Sequence, residues 1–148
     1  MIKPLHLYLF VVLLLCGCNQ CKDGCLNGAC IDQYCDCDVW YTGDRCDRSE
    51  LSIYEGAYVG TFIFGSSAET LSFSLVGAAD NPSQLIANEL DLKFQFTSST
   101  RFDVPAQTWK NIEWIGEGEM LLGLISIRLN YTDSSGVKEG LIEAYRED

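Results

Sequence analysis

"LDLKFQFT", residues 90–97, places Leu90, Leu92, Phe94 and Phe96 on one side of an extended chain and Asp91, Lys93 and Gln95 on the other. Side chains of a strand alternate between faces, so a strict period of two marks a strand with one face on a core and one in water. "TLSFSLV" at 70–76 repeats the pattern, with Leu71, Phe73 and Leu75 against Thr70, Ser72 and Ser74. "AYVGTFIFG" precedes these two stretches, and "MLLGLISIRLNY" and "VKEGLIEAYR" follow. The turn-rich words "GSSAE", "ADNPS" and "TDSSG" separate them. No stretch keeps a helical period over three turns, although "PSQLIANEL" has room for one short helical turn. Six or seven strands are expected between Ala57 and Arg146. Residues 57–148 are therefore expected to form an all-β antiparallel domain, a sandwich or a small up-and-down barrel.

Toward the N-terminus the texture changes. Lys3 precedes the apolar run "LHLYLFVVLLL" (Leu5–Leu15), too short for a bilayer span of about 20 residues and suited to a signal peptide over residues 1–17. Gly17 is the small residue before Cys18, and Leu15 stands three positions before it. Leu15-Cys16-Gly17-Cys18 resembles a bacterial lipobox, with Cys16 a departure from the commonest pattern. The resemblance implies that Cys18 carries lipid at a mature N-terminus, residues 18–20, and that the chain sits at the cell envelope or outer membrane. Plain secretion, with cleavage after Gly17, is the alternative. Asn19, not Asp, follows the cysteine, so the enterobacterial inner-membrane retention signal is missing.

Loss of residues 1–17 removes His6, the only histidine, together with Lys3, leaving nine basic and 21 acidic residues. Such an acidic chain lacks the basic face that a nucleic-acid partner requires. Without imidazole or an unpaired thiol, Ser–His–Asp and Cys–His catalysis are excluded from the mature chain. Paired carboxylates are the remaining catalytic chemistry, and Glu113, Glu117 and Glu119 in "NIEWIGEGE" are the nearest cluster. Exposed turn carboxylates are the simpler account, and no enzyme is expected. Trp109 and Trp114 flank the cluster and are candidate binding residues for a sugar or lipid, core packing being their other use.

Six cysteines, at 21, 25, 30, 35, 37 and 46, fall within 26 residues and none follows. Their spacing leaves many pairings open. Zinc sites favour two C-x2-4-C pairs, which the tight C-x-C at 35–37 does not supply, so oxidation fits better. "CKDGCLNGACIDQYCDCDVWYTGDRCD" resembles a tenascin-type EGF-like module over residues 21–46. The resemblance is carried by Asn27-Gly28, Cys35-Asp36-Cys37, Tyr41, Gly43 and Cys46. It implies bridges Cys21–Cys30, Cys25–Cys35 and Cys37–Cys46. A unit this small depends on such cross-links, because it cannot bury a stabilising core. Trp40 stands where the family usually has glycine, so the last turn is expected to be made differently. Asp32 follows Cys30, yet the usual upstream calcium ligands have no room beyond Asn19-Gln20; Asp32 reads as a turn residue, and no metal or cofactor is expected. Tyr41, Arg45 and Leu51 are also placed as in EGF-receptor ligands, and are candidate contact residues on that resemblance. Their ordinary roles are a solvated hairpin residue for Arg45 and the first hydrophobe of the next domain for Leu51.

Residues 47–56 read as a linker. Beyond them, "YEGAYVGTF", "FDVPAQTW" and the final "YRE" resemble calycin-like or lipocalin-like β domains of bacterial lipoproteins. A full lipocalin is longer, which implies a reduced cavity here. The expectation is a lipid-anchored envelope protein, its EGF-like module a stalk and its β domain a recognition surface for an extracellular protein or glycan. The alternative is a carrier of a small hydrophobic ligand.

Overall fold

The computed structural model describes residue 21, residues 24–121 and residues 123–147. The signal-peptide, lipobox and Cys18 readings fall outside these residues. The chain forms two compact units, divided between Arg48 and Ser49.

In the first unit the hairpin strands β1 (Gly28–Ile31) and β2 (Tyr34–Cys37) pair antiparallel; the short strand β3 (Tyr41–Thr42) follows, and β4 (Arg48–Ser49) lies at the division. Disulfides join Cys21 to Cys30, Cys25 to Cys35 and Cys37 to Cys46. Of the described residues in this unit only Cys46 is fully buried, so the cross-links take the place of a core. Asn27 adds a polar clamp, donating from its side-chain amide to the Cys46 carbonyl at 2.8 Å. Asp32 and Gln33 both have positive φ and form the two-residue turn between β1 and β2, the geometry that matches strand twist. Trp40 also has positive φ, +76°. The glycine-like turn is thus kept, contrary to the expectation that Trp40 would change it. The left-handed backbone there costs roughly 1–2 kcal/mol.

The second unit is a closed barrel of eight antiparallel strands. They are β5 (Gly56–Phe64), β6 (Ser67–Ala78), β7 (Asn81–Ala87), β8 (Leu92–Phe96), β9 (Arg101–Trp109), β10 (Ile112–Leu121), β11 (Leu124–Asp133) and β12 (Gly136–Arg146). Each pairs with its neighbour in sequence, and β12 closes on β5. This settles barrel over sandwich and raises the strand number above the six or seven expected. "PSQLIANEL" is not helical: Asn81–Ala87 is a strand, because Leu85 and Ala87 alternate inward as the wall requires.

The interior is apolar. Phe73 and Leu75 of β6, Leu85 of β7, Leu92, Phe94 and Phe96 of β8, and Ile125, Ile127 and Leu129 of β11 are all nearly or fully buried. Among the described residues no polar or charged side chain is buried. Lys93, Asp103, Glu117, Arg128 and Glu143 lie exposed on the outer wall. Charge outside and apolar inside is the reverse of a membrane-spanning barrel. Among the described residues no helix is long and apolar enough to cross a membrane.

The two ends differ. Where β5 begins, a 3-10 helix, Glu50–Tyr54, packs against β6 and β7 and buries Leu51. Ser49 caps it, accepting from the Leu51 N–H at 3.1 Å. Tyr54 stacks on Phe96, and Arg146 donates to the Ile53 carbonyl at 2.7 Å. The wall is also uneven. Ten residue pairs join β11 to β12 and nine join β5 to β6, but only Gln95↔Asp103 and Phe96↔Phe102 join β8 to β9.

Candidate functional site

At the end away from the 3-10 helix, five aromatic rings converge. Period two along β5 turns Phe62 and Phe64 inward, and Trp109, Trp114 and Tyr131 arrive from the end of β9, the start of β10 and the end of β11. The Phe62 ring meets Trp109 edge-on at 4.7 Å between centroids, and Trp114 meets Tyr131 edge-on at 5.0 Å. Phe64 touches both Trp114 and Tyr131, each at 5.7 Å. These edge-to-face distances are the favourable ones for ring quadrupoles. The Trp114 indole N–H is satisfied by the Trp109 carbonyl at 3.1 Å. Phe62, Trp109 and Trp114 are buried, whereas Phe64 and Tyr131 are half-buried and form the outermost layer.

The polar rim comes from a turn. Lys110 and Asn111 both have positive φ and make the two-residue link from Trp109 to Ile112. That turn swings the Lys110 ammonium over the barrel end, 5.3 Å from the Trp109 centroid and 6.0 Å from that of Phe62. Lys110 also pairs with Glu69, which sits opposite Phe62 on β6. It is the one ion pair among the described residues, and both partners are half-exposed, so its net contribution is about 0–1 kcal/mol. Nearby, the Tyr131 phenol is held above its ordinary value by desolvation, then by the Asp133 charge. Asp133 is held below its own ordinary value by hydrogen bonds from the Ser135 side chain and backbone.

Behind the rings the interior is closely packed at two glycines. Gly118 and Gly140 face inward, and a Cβ at either would strike a ring, that of Phe102 at 2.3 Å or that of Phe62 at 2.7 Å. Glycine thus admits aromatic rings that the wall otherwise has no room for.

Two further concavities lie on the outer wall. One, of about 450 Å³, is lined by Arg101, Asp103, Glu117, Glu119, Ser126 and Arg128. The second, of about 550 Å³, adjoins it through Asp103 and Glu117 and runs past Gln95, Pro105, Ile115 and Asn130.

The sequence candidates separate. Trp109 and Trp114 come together, inside the barrel and not as a surface patch. Leu51 is 1% exposed beneath the helix end and packs the barrel. Tyr41 is half-buried and Arg45 exposed in the first unit. Glu113, Glu117 and Glu119 alternate outward on β10 and are exposed. The sulfurs of Cys21, Cys25 and Cys30 lie within 4.8 Å of one another, but all three are in disulfides, and a metal needs free thiolates. Phe62, Phe64 and Tyr131 were not singled out by sequence reasoning. Their signal was present in strand alternation, but the partner ring across the barrel was not. Comparison with protein-family models, curated proteins and solved structures found no match for this chain.

Proposed function

We propose that the barrel binds a small apolar ligand and acts as its carrier, with the aromatic end as the binding region. The observation that carries this reading is the concentration of five rings at one end of a closed apolar barrel, capped at the other end by a helix. Aliphatic side chains would fill such a wall equally well. Rings add flat faces between which a flat or slender apolar molecule inserts with little new desolvation. Phe64 and Tyr131, only half-buried, are the rings that yield first. Nothing in this mechanism needs catalysis, and the chain acts as a binder and not an enzyme.

The disulfide-stapled first unit suits an oxidising compartment, and a stalk role beside a lipid-anchored Cys18 belongs to the same proposal. The calycin-like resemblance of the sequence agrees with a carrier. A second reading, recognition of an extracellular protein or glycan by the outer wall, is favoured by the two adjoining concavities around Asp103 and Glu117.

Diphenylhexatriene, a slender uncharged fluorophore, tests the carrier reading in the mature chain. Binding should appear as energy transfer from tryptophan at micromolar concentration, and should weaken severalfold in Phe62→Ala. Absence of transfer, with no co-purified apolar mass in native mass spectrometry, would leave the outer-wall reading in possession.

A further inference from the structure

The eight-stranded wall has one interface where backbone pairing stops early. Between β8 and β9 the ladder covers Gln95↔Asp103 and Phe96↔Phe102 and goes no further. Continued by alternation, it would bring Lys93 opposite Pro105. Proline has no N–H to give, and it confines strand pairing to edges and bulges. A bulge is what β9 has: Trp114 pairs with Gln107 and Gly116 with Val104, so Pro105 and Ala106 together oppose Ile115. The Lys93 backbone, left without a partner on β9, is taken by a side chain. Its N–H donates to Gln107 Oε1 at 2.8 Å, and its carbonyl accepts from Gln107 Nε2 at 2.9 Å. One carboxamide thus replaces the two hydrogen bonds of a missing ladder rung.

What lies on either side of this rung gives it a use. Inside are the apolar side chains of Leu92, Phe94 and Val104, each 0% exposed. Outside is the 550 Å³ concavity, in which Val104, Pro105 and Ile115, the last 57% exposed, stand beside Asp103 and Glu117. The hollow on the solvent side borders β8 and β9 where Gln95 pairs with Asp103, next to the one rung that a side-chain amide supplies. Elsewhere four or more backbone pairs hold adjacent strands together.

We infer that the β8–β9 seam is a latched side opening through which a slender, uncharged apolar ligand enters the barrel, with Gln107 as the latch. The inference rests on the carrier reading above and deepens it by assigning the route. Opening requires the Gln107 amide to release Lys93, after which β8 swings on its four pairs to β7 while the rest of the wall stays closed. Gln107 is therefore a positioning residue: it sets the rate of exchange and not the affinity.

The test uses the mature chain and diphenylhexatriene in stopped flow, alongside amide hydrogen exchange. In Gln107→Leu, exchange at residues 92–94 should rise at least tenfold with β11–β12 unchanged. Association and dissociation rates of the probe should rise together by about tenfold, with Kd within twofold. Gln107→Glu keeps the acceptor for the Lys93 N–H but loses the donor, and should fall between wild type and Gln107→Leu; it serves if the leucine variant folds poorly. Raised exchange with unchanged probe rates would overturn the side opening and leave entry at the aromatic end. Unchanged exchange would overturn Gln107 as the latch. If the wild-type chain binds no probe, the carrier reading itself fails and the route falls with it, an outcome distinct from both.

Discussion

Gly118 faces the barrel interior, and the Phe102 ring occupies the space that its missing side chain leaves. A methyl there meets both that ring and the Ser126 carbonyl, 2.7 Å away, so neither ring motion nor strand motion alone relieves it. Gly118→Ala should cost about 1–3 kcal/mol, as overpacking of a tight core does, and a urea denaturation midpoint will show it. Glu89 makes a different residue-scale prediction. Its carboxylate accepts from the Ser74 N–H and hydroxyl, which hold its pKa below the ordinary value. A lowered folded-state pKa stabilises the fold above the ordinary carboxylate range, and that contribution is lost as pH falls through the lowered value. Glu89→Gln should therefore be less stable than the parent at about pH 7, and the gap should close at the acid end, well below the ordinary carboxylate value. Equal gaps at both pH values would show that the hydrogen bonds to Ser74 do not discriminate between the two protonation states.

At the scale of elements, the turn Lys110–Asn111 both closes a hairpin and delivers a cation to the aromatic end. The two effects separate in Lys110→Asn. Asparagine tolerates the left-handed backbone better than lysine, so the turn should gain while the ion pair with Glu69 is lost. Net stability should move by less than about 1 kcal/mol, because an exposed pair contributes little. If denaturation shows a larger loss, Lys110 holds Phe62 and Trp109 more firmly than ring contact alone implies. The 3-10 helix illustrates the same economy: Leu51 plugs the opposite end while Ser49 and Arg146 satisfy its backbone. The assignments that sequence reading missed also lie at this scale. "NPSQLIA" has too few large apolar residues to advertise a strand, and it becomes one because β6 and β8 offer it ladders on both sides. Pro105 argues against a strand interior, and β9 accommodates it by bulging where β8 does not pair.

For the whole molecule, two units with different sources of stability predict different responses to reductant. The first unit is held by three disulfides closing short loops, each contributing roughly 2–4 kcal/mol. The barrel contains no cysteine and is held by its apolar interior. Reduction should unfold residues 24–46, seen as loss of amide protection, while the urea midpoint of the barrel stays put. A barrel that lost protection on reduction would show that its fold depends on the stapled unit.

The alternation in "LDLKFQFT" and "TLSFSLV" was enough to determine strands with one apolar face, because the period of two is a local property of extended chain. Cysteine density likewise determined that the first unit relies on cross-links, since so few residues cannot bury a core. Local pattern says which face is apolar but not what it faces. Closure of β12 on β5 came only from the tertiary structure, as did the meeting of Phe62, Phe64, Trp109, Trp114 and Tyr131 at one end. The same holds for Gln107, an unremarkable polar residue in sequence that the fold sets against the Lys93 backbone. These are pairings between residues 14 to 80 or more positions apart, fixed by strand register around a closed wall, and no local signal encodes them.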